Sequence, residues 1–177
     1  MPETTPSTTT QITDCHIVEP GATWAGRLDT ADTLARVVAH LNTMSPRPDL
    51  VVLTGDLVND ARPEQYANAA RILAALEPPL LVVPGNHDVD PTAKPEPAIA
   101  RLVTSLRDGR EGLDVALGDD GDRASLQKRL APYLAFAARV APRCAELFWM
   151  HSFEVRGLRL RLVGLGVEML QAVAREG

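Results

Sequence analysis

The sequence predicts an α/β fold built on a parallel sheet, and three observations carry that expectation. Leu50-Val51-Val52-Leu53 and Leu80-Leu81-Val82-Val83 are unbroken apolar runs, the pattern of strands covered on both faces. The stretch before each run has apolar residues at helical spacing and closes on prolines. Polar clusters stand at the strand ends, as Asp14-Cys15-His16, Gly55-Asp56 and Asn86-His87-Asp88, where open α/β sheets carry their sites.

Taken in order, residues 1–7 read as a loose leader and residues 8–177 as one domain. Thr8 to Thr13 is short and β-branched, a first strand in spite of its low hydrophobicity. Strand alternation past its end would put Asp14 and His16 on one face and Cys15, packing inward, on the other. Glu19 to Leu28 is a loop whose Trp24 either lines a substrate mouth or covers the core. Asp29 or Thr30 caps a helix with Leu34, Val37, Val38 and Leu41 inward, and Pro46 and Pro48 end it. His40 sits beside that stripe, facing solvent. The second strand leads into Thr54-Gly55-Asp56. Pro63 suits the first turn of a second helix with Tyr66, Ala69, Ala70 and Leu73 inward, which Pro78-Pro79 stop. The third strand opens onto Pro84-Gly85-Asn86-His87-Asp88.

Beyond Asp90 the pattern changes. Residues 91–97 form a proline-rich loop, and Ile99, Leu102, Val103 and Leu106 define another amphipathic helix. Gly109 to Asp122 reads as an exposed loop; Asp119, Asp120 and Asp122 miss the calcium-loop spacing and count as solvated charge. Ser125 to Val140 is helical with a break at Pro132. A hairpin follows, with Phe153 and Val155 on one arm and Leu158, Leu160 and Leu162 alternating with Arg159 and Arg161 on the other. Met169 to Val173 adds a last helical turn.

The bulk composition narrows the function. At 177 residues the chain can bury a core without staples, and 45% hydrophobic with 23% charged residues suits a soluble globular protein. A net charge of −5 argues against a nucleic-acid surface, which needs clustered Lys and Arg. It leaves room for an anionic small substrate, because bound cations reverse the local field. Cys15 and Cys144 match neither a disulfide framework nor a zinc knuckle, so a reducing compartment is expected. Met1 to Thr10 lacks the basic and apolar regions of a secretory signal, and no apolar run reaches membrane length. The expected location is the cytoplasm, with no membrane partner.

The three clusters are separated by about 40 and about 30 residues, the intervals of successive βα units. Carboxylate, imidazole and amide oxygen together suit Mn, Fe or Zn better than a thiolate site would. Two such ions roughly 3.5–4 Å apart can clamp a phosphoryl group and generate hydroxide at neutral pH. Ile12-Thr13-Asp14-Cys15-His16, Thr54-Gly55-Asp56-Leu57-Val58-Asn59 and Pro84-Gly85-Asn86-His87-Asp88 resemble the first three motifs of the calcineurin-like metallophosphoesterases. Between Gln11 and Asp88 the likeness is to the bacterial cyclic-nucleotide and glycerophosphodiester phosphodiesterases.

The resemblance implies an α/β/β/α sandwich and metal-dependent hydrolysis of a small phosphoester, a phosphodiester by this likeness, at a dinuclear centre. Asp14 and His16 would bind the first ion, Asp56 would bridge the two, and Asn86 would bind the second through its amide oxygen. His87 would face the substrate, stabilising phosphoryl oxygens or protonating the leaving alkoxide. Asp88 is expected to orient His87 by accepting a hydrogen bond. The resemblance also implies a later His and a Gly-His-x-His motif. Of the four histidines only His151 follows His87, at a position that is not a ligand in the family pattern. The second sheet is therefore expected to be incomplete, with an edge that invites a second copy or a partner. The competing reading is a catalytically impaired remnant that binds a metal or a partner. A doubly wound nucleotide-binding module is disfavoured, because no glycine-rich phosphate loop follows the first strand.

Overall fold

In the computed structural model, which describes residues 8–89, 120–146, 148–155 and 158–165, three parallel strands lie in the order β1-β2-β3. β1 (Thr9–Thr13) pairs with β2 (Leu50–Thr54) from Thr9 opposite Leu50 to Thr13 opposite Thr54. β2 pairs in turn with β3 (Leu80–Val82), Val51 opposite Leu80. The middle strand is the apolar one, with Leu50, Val51 and Leu53 buried. β1 lies beside it with its residues exposed or half-buried, which accounts for its polar sequence. This register sets the three polar clusters side by side at one end of the sheet.

Each crossover is a helix, as a parallel pair requires. In α1 (Thr30–Thr43) the Asp29 carboxylate accepts the Asp32 N–H at 2.8 Å, satisfying one of the unpaired donors of the first turn. Leu34, Val38 and Leu41 are buried, Val37 is half-buried and His40 is exposed. α2 (Pro63–Leu73) starts on its proline and buries Tyr66, Ala69, Ala70, Ile72 and Leu73. Two buried amides on the same helix fasten it to the site loops. Asn68 donates to the Val18 carbonyl at 2.9 Å, and Gln65 accepts the Asp60 N–H at 2.8 Å.

Two further helices follow, α3 (Asp120–Arg129) and α4 (Ala131–Val140), separated at Leu130 just before Pro132. α4 covers α2 through Phe136, whose ring centroid is 5.5 Å from that of Tyr66. Tyr133, also on α4, is buried and donates its hydroxyl to the Val82 carbonyl at 3.1 Å, pinning the helix to β3. An antiparallel pair, β4 (Phe148–Val155) and β5 (Leu158–Leu165), forms a second sheet, two-stranded among the described residues.

Two expectations change. The loop expected to run to Asp122 overreaches, because Asp120 and Asp122 belong to α3. The hairpin arms are also longer than the alternation suggested, since β4 begins at Phe148. The leader, the helix expected around Ile99 to Leu106 and the turn at Met169 to Val173 lie outside the described residues.

Candidate metal centre

The centre is assembled from backbone geometry as much as from side chains. β1 ends at Thr13, and both Asp14 and His16 take positive φ, 51° and 43°. Left-handed backbone is uncommon for residues with a Cβ and concentrates at functional sites. The expected face-sharing by strand alternation is therefore not how the two meet, because the chain coils instead of extending. Asp14 N–H still bonds the Thr54 carbonyl at 3.2 Å and His16 N–H the Asp56 carbonyl at 3.0 Å, so the coil stays beside the second cluster.

Two glycines make the approach possible. Gly55 has φ 71°, and a Cβ there would overlap Oδ1 of Asp14. A Cβ on Gly85 would overlap Oδ1 of Asp56 and stand 2.6 Å from its backbone nitrogen. The three motifs thus touch where side chains would forbid it.

Asp56, buried at the middle of the group, holds the others in place. Its N–H points to Oδ1 of Asp14 at 3.4 Å, and its own Oδ1 accepts the His87 N–H at 2.9 Å. Its Oδ2 stands 3.7 Å from Nε2 of His16, too far for a hydrogen bond. One donor atom each of His16, Asp56 and His87 lies within 4.8 Å of the others. Nδ1 of His16 is buried without a hydrogen-bond partner. A carboxylate facing two imidazoles, one of them short of partners, fits the donor set of a divalent cation. Asp14 and Asn86 are exposed, one at each side of Asp56 in the fold's three-motif arrangement, and Asn86 opens the short 3₁₀ turn Asn86–Asp88.

His87 is held by a group that left no side-chain signature in the sequence. Its Nδ1 is 2.7 Å from the Asn59 carbonyl. A carbonyl only accepts, so Nδ1 carries the proton and Nε2 is the nitrogen left for chemistry. The Asn59 side chain in turn accepts from Nε1 of Trp24 at 2.8 Å, and Trp24 stacks on His16 with centroids 5.2 Å apart. Of the two roles open to Trp24, the structure gives it the one at the site.

The expected contact from Asp88 to His87 is replaced by another. The Asp88 carboxylate is fully buried and accepts the N–H groups of Leu57, Val58 and Gly85 and the Tyr66 hydroxyl. Burial pushes its carboxyl up to about 7, against the pull of those donors. The side chain turns inward because the backbone there offers it three unpaired N–H groups, whereas His87 already has Asn59. His40 stays exposed on α1, and nothing is described of the His151 side chain.

Cys15 packs against the core, as expected, and desolvation with the nearby Asp88 and Asp14 charges pushes its thiol up to about 12. Burial also raises Cys144. A thiol of pKa 12 is thiolate in about one molecule in ten thousand at pH 8. Iodoacetamide at pH 8 should therefore label Cys15 in the native protein far more slowly than in the denatured chain; equal labelling rates would contradict this placement.

A family model described as calcineurin-like phosphoesterase matches residues 7–156. The chain is 46% identical over 77 residues to the glycerophosphodiester phosphodiesterase GpdQ of Enterobacter lignolyticus, covering 44% of this chain and 28% of the relative. It is 39% identical over 79 residues to the 3′,5′-cyclic adenosine monophosphate phosphodiesterase CpdA of Pseudomonas aeruginosa, covering 44% and 29%. It is 34% identical over 88 residues to a 3′,5′-cyclic-nucleotide phosphodiesterase of Nostoc, covering 50% and 33%. The matched stretch spans at most a third of the length of these relatives.

Proposed function

We propose, from the premise that this chain belongs to the calcineurin-like phosphoesterase family, that it takes part in metal-dependent hydrolysis of a small phosphodiester. The observation that carries the reading is that His16 and Asp56 converge beside Asp14 and that the His87 ring comes within 4.8 Å of them, near enough to face a phosphoryl group held there. Asp14, His16, Asp56 and Asn86 are the residues that would hold two divalent ions of the Mn, Fe or Zn kind, with Asp56 between them. When bound, the ions supply Lewis acidity and an activated water for in-line attack at phosphorus. Relatives whose names specify glycerophosphodiesters and cyclic nucleotides share a diester of phosphate, and that common chemistry is the substrate class proposed.

The chain's own residues do the rest. Asn59 fixes the tautomer of His87 and so leaves Nε2 as the nitrogen open to chemistry. When the ring is in its imidazolium form, Nε2 also carries a proton, which can pass to the leaving alkoxide or hydrogen-bond a phosphoryl oxygen. Trp24 keeps both histidine rings in place, one by stacking and the other through Asn59. Both cysteines are free, in keeping with the cytoplasm as the working compartment. Among the described residues no helix is long and apolar enough to cross a membrane. A two-stranded sheet is marginal in water by itself, so a further strand beside β4 or β5, from this polypeptide or a second copy, also fits the reading.

The test is turnover of bis(p-nitrophenyl) phosphate by the Mn²⁺-loaded protein. Release of p-nitrophenolate should stop on chelation and return with Mn²⁺. In His87→Ala it should fall by about 100-fold or more while bound Mn²⁺ is retained. Turnover that ignores chelation, or that survives His87→Ala intact, would rule the mechanism out.

A further inference from the structure

We propose that Asp88 is a positioning residue: its buried carboxylate fastens the Asp56 strand end to the Asn86 turn and so sets the spacing of those two metal ligands. The inference rests on the metal-centre reading. One oxygen, Oδ2, accepts both the Leu57 N–H and the Gly85 N–H, each at 3.0 Å. Leu57 directly follows Asp56 and Gly85 directly precedes Asn86, so a single atom holds the backbone beside each ligand. The other oxygen, Oδ1, accepts the Val58 N–H at 3.2 Å and lies 3.0 Å from the Tyr66 hydroxyl. That hydroxyl is also 3.0 Å from the Asp88 carbonyl and shares its one proton between the two oxygens. Tyr66 thereby fixes the whole group to α2.

The constraint is closed from the opposite side. His87 N–H bonds Oδ1 of Asp56 at 2.9 Å, so the turn that Asp88 anchors also grips the ligand itself. Gly85, between the two, has no Cβ and lets the segments meet. Asp88 is fully buried and acts through other residues, not on a substrate. A carboxylate is the side chain this place needs, because its two oxygens offer about four acceptor sites and no donor. An amide of the same shape would turn an NH₂ toward N–H donors and leave at least one buried N–H unpaired. Residues that orient metal ligands in this way are worth about 10- to 100-fold in metal affinity.

The probe is Co²⁺ alone, titrated into the apo protein at a temperature where the native protein and the variants give the same circular-dichroism spectrum. Asp88→Asn should bind Co²⁺ about 10- to 100-fold more weakly. The visible absorption band of the bound ion should also change shape, because the ligand geometry relaxes. A purely structural residue would shift the apo melting point and leave both readouts alone. A folded Asp88→Asn with native affinity and a native band overturns the proposal and leaves the metal centre standing. Should Asp88→Asn not fold, Tyr66→Phe carries the test: weaker Co²⁺ binding in the folded variant supports the proposal, and unchanged binding overturns it. Absence of Co²⁺ binding in the native protein removes the metal-centre reading and this inference together.

Discussion

Replacing Asp56 with alanine is expected to lower divalent-metal affinity by about three orders of magnitude while leaving the apo protein folded. A carboxylate 4 Å from a unit charge contributes about 4 kcal/mol at an effective dielectric constant of 20. At 1.4 kcal/mol per decade that is close to a thousandfold, before the second charge of the cation is counted. The apo protein loses much less. Oδ1 of Asp56 accepts one hydrogen bond, from His87 N–H, worth about 1 kcal/mol net. Removing the carboxylate also relieves its repulsion by Asp14, whose Oδ1 lies against the Asp56 N–H. Calorimetric Mn²⁺ titration and thermal melting of the same samples read the two effects separately. Native-like affinity in Asp56→Ala would show that the ion, if bound, sits elsewhere.

Gly85→Ala should do the opposite, damaging fold and site together. The added Cβ overlaps Oδ1 of Asp56, and even if that side chain moved aside it would still meet backbone, 2.6 Å from the Asp56 nitrogen and from the Gly55 carbonyl carbon. Gly85 cannot retreat easily, because its N–H is held by the buried Asp88 at 3.0 Å. Overpacking of a tight site costs 1–3 kcal/mol and sometimes more; against the Gly55–Asp56 peptide, which cannot rotate away as a side chain would, about 3 kcal/mol or more is expected. For a domain of this size that is a fall of roughly 6–12 °C in melting temperature. Metal affinity should fall as well, since Asp56 and Asn86 are pushed apart. A Gly85→Ala protein that melts and binds Mn²⁺ like the native one would mean that the two motifs are not in contact.

The sheet was legible because its signals are local. Leu50 to Leu53 and Leu80 to Val83 are continuous apolar runs, and Asp29 and Pro63 mark helix starts by chemistry that needs no tertiary context. The three polar clusters that meet at the sheet end were legible as residue types, but their geometry was not. Nothing in Asp14-Cys15-His16 announces two left-handed residues, which exist because the neighbouring strand end holds their N–H groups. The partner of His87 is a main-chain oxygen, and every residue has one. Asp88 looked like a catalytic orienter because it adjoins His87 in sequence. Only the fold reveals three unpaired N–H groups on its other side. Trp24 was readable to the extent of its loop; its stacking on His16 depends on how that loop folds back.

The register of β1, β2 and β3 has a kinetic corollary. Its ladders join residues some forty and thirty positions apart, so a long stretch of chain must be closed before the first rung is gained. If Asp14, Asp56 and Asn86 are the ligands proposed, a cation arriving early would find them on unconnected pieces of polymer and would gain little by lingering. On the metal-centre reading, capture would come after the crossovers have docked, and the bound ion would then act as a latch that slows their release.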